Sequence, residues 1–223
     1  MPDSLLTQLA ITPAQIFHLS GNLRSRVLNF LLRWEAWQET LNCLDELDTP
    51  NLVTLQDMQA EVLVGDLAEP GTLHGLGREV AGPLDSLVHC AGVVTLAPLA
   101  TARLDDWHRQ LDVNLVAPAV LTREFVPHLR QSRGRLVAVS SLAGLYGVPG
   151  RTAYSTSKFA MNGFFESLRV ELSLHGVSVT VAYPGVVTTE IRSRGFNAHG
   201  QPLGTSSLDE RGAMSVETTA HAV

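Results

Sequence analysis

Tyr154 and Lys158 close the run Tyr154-Ser155-Thr156-Ser157-Lys158, and in a helix a spacing of four puts both on one face. Ser141 lies 13 residues upstream of the tyrosine. A phenol is a poor proton donor and a worse base at neutral pH, because its ordinary pKa is about 10. A neighbouring ammonium favours the phenolate and lowers that value, and a general acid or base works best near the operating pH. A serine hydroxyl can hydrogen-bond a substrate oxygen and hold it against the phenol. The chemistry expected is proton transfer at an oxygen, with Tyr154 as the carrier, Lys158 as its tuner and Ser141 as the group that orients the oxygen.

The elements around these residues follow from the pattern. Leu136 to Val139 is an apolar run that reads as a buried strand leading into Ser140 and Ser141. Glycines at 144, 147 and 150 and a proline at 149 make the next stretch a loop. Tyr154 then begins a helical pattern that continues from Phe159 to Leu174. Upstream, Glu61 to Leu67 reads as a strand ending in the acid Asp66, Thr72 to Val80 as a helix, and Leu84 to Val88 as a strand followed by Cys90-Ala91-Gly92. Asp105 to Phe125 is a long helical pattern that contains Asn114 and a proline, Pro118, expected to kink it. Val177 to Ala182 is a buried strand ended by Tyr183-Pro184-Gly185, and Ser215 reads as a helix N-cap. Strands alternating with helices predict an α/β fold, a three-layer doubly wound parallel sheet with helices on both faces. Ligands of such sheets sit at the carboxyl ends of the strands, where Cys90 to Gly92, Ser141 and Pro184-Gly185 all fall.

These motifs together resemble the short-chain dehydrogenase/reductase family of Rossmann-like folds. Tyr154 to Lys158 is similar to its YxxxK signature, Ser141 to its catalytic serine, and Asn114 in Asp112-Val113-Asn114-Leu115 to its catalytic asparagine. Cys90-Ala91-Gly92 resembles its Asn-Ala-Gly motif, and Pro184-Gly185 with Thr189 its post-strand cofactor motif. The match spans roughly residues 60 to 220. The resemblance implies an NAD- or NADP-dependent oxidoreductase interconverting an alcohol and a carbonyl, with a small-molecule substrate and a homo-oligomeric assembly. It implies that Lys158 binds the nicotinamide ribose, that Asn114 holds a water for proton relay, and that Val187 and Thr189 contact the carboxamide. Asp66 and Leu67 fall where the family touches the adenine ring, although Asp66 fits a helix cap as well.

Residues 1 to 60 depart from the family. Ile16 to Leu19 reads as a strand, Ser20-Gly21 as a turn, and Val27, Phe30, Leu31, Trp34, Trp37, Leu41 and Leu44 repeat at helical spacing. Gly21 is the one glycine in place for a pyrophosphate turn; Ser25 and Val27 stand where the family has two more. Gly21 is therefore carried both as a cofactor contact and as an ordinary turn glycine. Weak cofactor binding is expected from this segment. Residues 190 to 213, polar and rich in Gly and Ser, are expected to form a substrate lid, and no strand pattern follows the helix that begins at Ser215.

The composition narrows the field. With 223 residues the chain fits a single domain with a sizeable core. A net charge of −6 argues against a general nucleic-acid or anionic-membrane surface. No apolar run approaches the ~20 residues that span a bilayer. Two cysteines make no disulfide framework, and no basic residue precedes Arg24 as a secretory leader would require, so a reducing, cytoplasmic setting is expected. Cys90 has no cationic neighbour in sequence that would activate it. No metal site is expected. Two other readings stay open. One is a catalytically silent relative acting as a binding scaffold, supported by the altered first turn. The other is an extended sugar-nucleotide epimerase or dehydratase, disfavoured by the short chain.

Overall fold

The computed structural model describes residues 15–22, 25–31, 61–189, 191–193, 195–205, 211–216 and 218–219. The strands are β1 (Gln15–Asn22), β2 (Ser25–Leu31), β3 (Glu61–Gly65), β4 (Ser86–His89), β5 (Thr95–Leu96), β6 (Arg135–Val139), β7 (Ser178–Ala182) and β8 (Phe196–Asn197). The helices are α1 (Leu104–Leu111), α2 (Ala117–Ser132) and α3 (Thr152–Ser173), with a single π turn, Asp112–Val116, joining α1 to α2. The main sheet runs β3-β1-β2-β4-β6-β7 and a small second sheet pairs β5 with β8.

The half of the main sheet that positions the site is parallel. β2 pairs β4, β4 pairs β6 and β6 pairs β7, all in parallel register. Leu87, Leu136 and Val179 line up across β4, β6 and β7, and so do His89, Ala138 and Val181. All six are buried. Leu121, Phe125 and Leu129 of α2 and Met161, Phe165 and Leu172 of α3 join them in one core. Their helical spacing is what puts each set on a single face. Burying a side chain of this size stabilises by roughly 1.5–3 kcal/mol. His89 is the polar member of the rows. Its Nε2 lies 2.8 Å from Thr122 Oγ1 and its ring tilts against Phe165, while burial pushes its pKa down to about 3 and keeps it neutral.

Three sequence expectations change. The strand–turn–helix expected over residues 16 to 44 is instead, as far as it is described, an antiparallel hairpin. Gly21 pairs with Arg26 inside it, and β1 also runs antiparallel to β3. The run Ser25 to Leu31 is short enough to read with either period, and pairing with β4 satisfies its backbone as a strand. The stripe from Trp34 to Leu44 lies outside the described residues. Second, Thr72 to Val80 is two short 3-10 turns, Pro70–Leu73 and Leu76–Arg78, separated by Gly75 at φ 92°. The glycines in this stretch disfavour a continuous helix. A Cβ on Gly77 would come within 2.5 Å of the Glu124 carbonyl oxygen, so glycine lets the turn seat on α2. Third, the helix through Asn114 widens into a π turn just before Pro118: the backbone stays helical from α1 through Asp112–Val116 into α2, with the Ala117 N–H on the Asp112 carbonyl. Pro127 is the proline inside that helix.

Candidate active site

The carboxyl ends of β4, β6 and β7 deliver Cys90-Ala91-Gly92, Ser140-Ser141 and Tyr183-Pro184-Gly185 to one edge of the sheet. Ser141 caps the 3-10 turn Leu142–Gly144, its Oγ accepting from the Ala143 N–H at 3.2 Å. That turn sets the Ser141 hydroxyl toward the Tyr154 phenol, whose charged form it favours. Tyr154, 7% exposed, is packed with Val94 and Ala143. Burial raises its pKa, and the Ser141 hydrogen bond and the Arg151 charge pull it back in part.

Lys158 is one helical turn on and 3% exposed. Its Nζ donates to the Val139 carbonyl at 3.0 Å, approaches Met161 Sδ at 3.7 Å and lies 5.9 Å from the centre of the Tyr154 ring. Burial lowers its pKa to about 8, with the Cys90 thiol pulling the other way. The net shift of the phenol is thus the reverse of the expected tuning. Desolvation of the phenol outweighs its neighbours' charges, and the counter-shift comes from Ser141 and Arg151. The ammonium still carries most of its charge at neutral pH. Cys90 is exposed at the strand end; burial of its inner side raises the thiol pKa and the Lys158 charge lowers it. A cationic neighbour does exist, brought in by the fold and invisible in the local sequence.

Asn114 is fully buried in the π turn. Its Oδ1 accepts from the Val93 N–H at 2.8 Å, and its Nδ2 donates to the Val93 carbonyl and to Ser157 Oγ, each at 3.0 Å. Ser157 in turn donates to the Tyr154 carbonyl at 2.7 Å. One amide therefore ties the loop after β4 to the helix that carries Tyr154. π turns concentrate at functional sites, and this one aims Asn114 where an unbroken helix would not.

The remaining sequence candidates fall around this centre. A Cβ on Gly92 would stand 3.4 Å from Asn114 Oδ1 and 3.6 Å from Lys158 Nζ, so the glycine keeps that corner open. Ala91 is buried. Gly185 is exposed, with Met214 and Leu142 the nearest side chains to a Cβ there. Val187 makes a parallel bridge to Met214, and its carbonyl accepts from Arg192 Nη2 at 2.8 Å; Thr189 is exposed two residues on. Asp66 Oδ1 accepts from the Ala68 N–H at 2.8 Å, a local turn and not the helix cap it also fitted, since Glu69 is the N-cap of the 3-10 turn that follows, and the Leu67 side chain is in the core. Gly21 is in β1, away from any described helix N-terminus. The expected lid segment is fastened where described. β8 pairs with β5, Phe196 is buried, and its N–H donates to the Val94 carbonyl at 3.0 Å. Gln110 of α1 holds β5 through the Thr95 N–H. Ser215 caps its helix as expected, accepting from the Thr218 N–H. A cavity of about 710 Å3 beside Val148, Thr152, Ser155 and Phe159 borders α3 but includes neither Tyr154 nor Lys158. Sequence reasoning missed Ser157, Arg151 and Asn162; the last falls four residues beyond Lys158, a spacing that could have found it.

Comparison with known proteins places the chain in a family. A family model described as short chain dehydrogenase matches residues 48–199, and the chain belongs to that family. It is 30% identical over 205 residues to the dehydrogenase/reductase SDR family member 7B of Bos taurus, which covers 90% of this chain and 61% of that protein. The chain thus spans about three-fifths of the length of that relative. A solved 4-hydroxyisoleucine dehydrogenase complexed with NADH superposes with a TM-score of 0.53 at 32% identity, covering 56% of this chain and 57% of the other. A metagenomic short-chain oxidoreductase in complex with NADP gives a TM-score of 0.50 at 35% identity over 53% of this chain and 56% of the other.

Proposed function

We propose that this protein is an NAD- or NADP-dependent oxidoreductase that interconverts an alcohol and a carbonyl on a small-molecule substrate. The observation that carries this reading is the buried Tyr154 phenol with the buried Lys158 ammonium 5.9 Å from its ring centre and Ser141 capping the turn beside it, at the carboxyl edge of the sheet. When bound, the cofactor supplies or accepts the hydride. The residues at this edge fit its nicotinamide half. Gly92 leaves the corner beside Lys158 and Asn114 open, Lys158 offers a buried cation to ribose hydroxyls, and Pro184, Gly185, Val187 and Thr189 line the loop after β7. Cys90 and Ala91 would border the same half, and Asp66 and Leu67 the adenine end. The β1–β2 hairpin fits the pyrophosphate less well, since it presents no described helix N-terminus to the phosphates.

In reduction, Tyr154 donates its proton to the carbonyl oxygen that Ser141 orients; in oxidation it takes the alcohol proton. Burial holds the phenol protonated, which suits the reductive direction at neutral pH. Asn114 uses both amide protons on Val93 and Ser157 and one Oδ1 lone pair on the Val93 N–H, so a relay water at its side chain would have to donate to Oδ1. The test is oxidation of NADH or NADPH with a panel of aldehydes and ketones, with binding followed calorimetrically. No turnover and no binding of either cofactor would sink the reading. The β1–β2 hairpin supports a second reading, a scaffold that binds neither cofactor, and the same titration separates the two.

A further inference from the structure

We propose that Asn162 is a positioning residue that sets Ser141 against Tyr154 by tying the chain on both sides of the serine to α3. Ser140 Oγ donates to Asn162 Oδ1 at 2.6 Å, and Asn162 Nδ2 donates to the Gly144 carbonyl at 2.8 Å. Ser140 precedes Ser141 directly, and Gly144 ends the turn that Ser141 caps. A carbonyl can only accept, so the Gly144 bond fixes which way the amide points. Its oxygen then faces Ser140, whose hydroxyl must donate. The strand side is held as well, by the Ser140 N–H on the Ala182 carbonyl at 2.8 Å.

The turn approaches α3 closely. A Cβ on Gly144 would lie 2.8 Å from Asn162 Nδ2, 2.9 Å from Ser140 Oγ and 3.1 Å from the Lys158 carbonyl oxygen. Glycine is what lets the clamp close. Asn162 is four residues beyond Lys158, which is four beyond Tyr154. One stripe of α3 therefore carries the proton carrier, the cation and the clamp on the serine. The distance between the hydroxyls of Ser141 and Tyr154 is then set within a single rigid element and does not depend on how the loop from 145 to 151 relaxes.

This role rests on the oxidoreductase reading for its kinetic readout but not for its spectroscopic one. Asn162→Leu removes both arms at similar volume, and Ser140→Ala removes one. Each is compared with wild type for kcat and cofactor KM. Each is also compared by ultraviolet titration of the phenol, with the corresponding Tyr154→Phe protein subtracted. A mispositioned serine should cut kcat about tenfold to a hundredfold and leave cofactor KM unchanged. It should also raise the Tyr154 titration midpoint, because a Ser141 hydroxyl moved away from the phenol favours the phenolate less. An unmoved midpoint in folded Asn162→Leu overturns the proposal, whatever happens to kcat. A raised midpoint in a protein whose wild type shows neither turnover nor binding of either cofactor upholds the clamp and removes the oxidoreductase reading. Should Asn162→Leu fail to fold, Ser140→Ala is decided by the same two measurements.

Discussion

Tyr154 and Lys158 make opposite demands on burial. The phenol is held protonated by desolvation, while the lysine is held close to losing its proton. Tyr154→Phe keeps the ring and removes the carrier. Turnover should fall by about 10²- to 10⁴-fold, the usual share of general acid–base catalysis, with thermal stability near wild type; normal turnover in the folded variant would remove Tyr154 from the mechanism. Lys158 is charged below about pH 8 and neutral above it. If its charge helps hold the cofactor, affinity should fall as pH rises through about 8, and Lys158→Met should be weak and flat over that range. Parallel titration curves for the two proteins would exclude that role. At this scale the sequence was largely legible. Tyr154 and Lys158 stand one turn apart on α3 as their spacing predicted, and Asn114, which the resemblance and not the spacing singled out, is tied to Ser157 of the same helix. The sign of the phenol's shift was not legible, because it depends on how deeply Val94 and Ala143 cover the ring. The Cys90–Lys158 coupling was hidden too, since those residues are distant in sequence and meet only when β4 and α3 pack.

Among the elements, β4, β6, β7 and α3 could be read from apolar runs and turn residues, within a residue or two of their ends. β2 could not, since seven residues carry too little period to separate strand from helix, and pairing with β4 decides it. The consequence reaches the first turn. Val27 pairs with Ser20 and with Ser86 in the sheet, so glycine there weakens a strand and opens no phosphate turn. Ser25→Gly with Val27→Gly should lower stability by roughly 0.5–1 kcal/mol per site and leave NADH and NADPH affinity no higher. A gain in affinity on calorimetric titration would show that this segment works as a cofactor turn after all. In the core, Leu136→Ala should cost about 2–5 kcal/mol, read from denaturant unfolding, because Leu136 sits between Leu87 and Val179 with no exposed surface. A loss well under 1 kcal/mol would mean that the rows across β4, β6 and β7 do not anchor the site.

Among the described residues two sheets of different size share one helical connection. α2 serves the large sheet, where Thr122 meets His89, and α1 serves the small one, where Gln110 meets Thr95. The fastening of Phe196 to the loop after β4 gives the expected lid a fixed root, so substrate access would be governed by its other stretches. Among the described residues no helix is long and apolar enough to cross a membrane. The wide turn at Asp112–Val116 has a mechanical meaning here: it works as a vernier. A helix advances about 100° per residue, so one residue accommodated between α1 and α2 sets the two rods out of phase by that angle, and each meets its own sheet. Deleting Leu115 should bring the rods back into phase. Helix content by circular dichroism should survive, while Gln110 swings off Thr95 and Asn114 off Val93, and cleavage of the 195–205 segment by protease should accelerate. Wild-type protease resistance in the deletion protein would mean that the two sheets tolerate either phase, and that the angle between the rods is not what holds the smaller one in place.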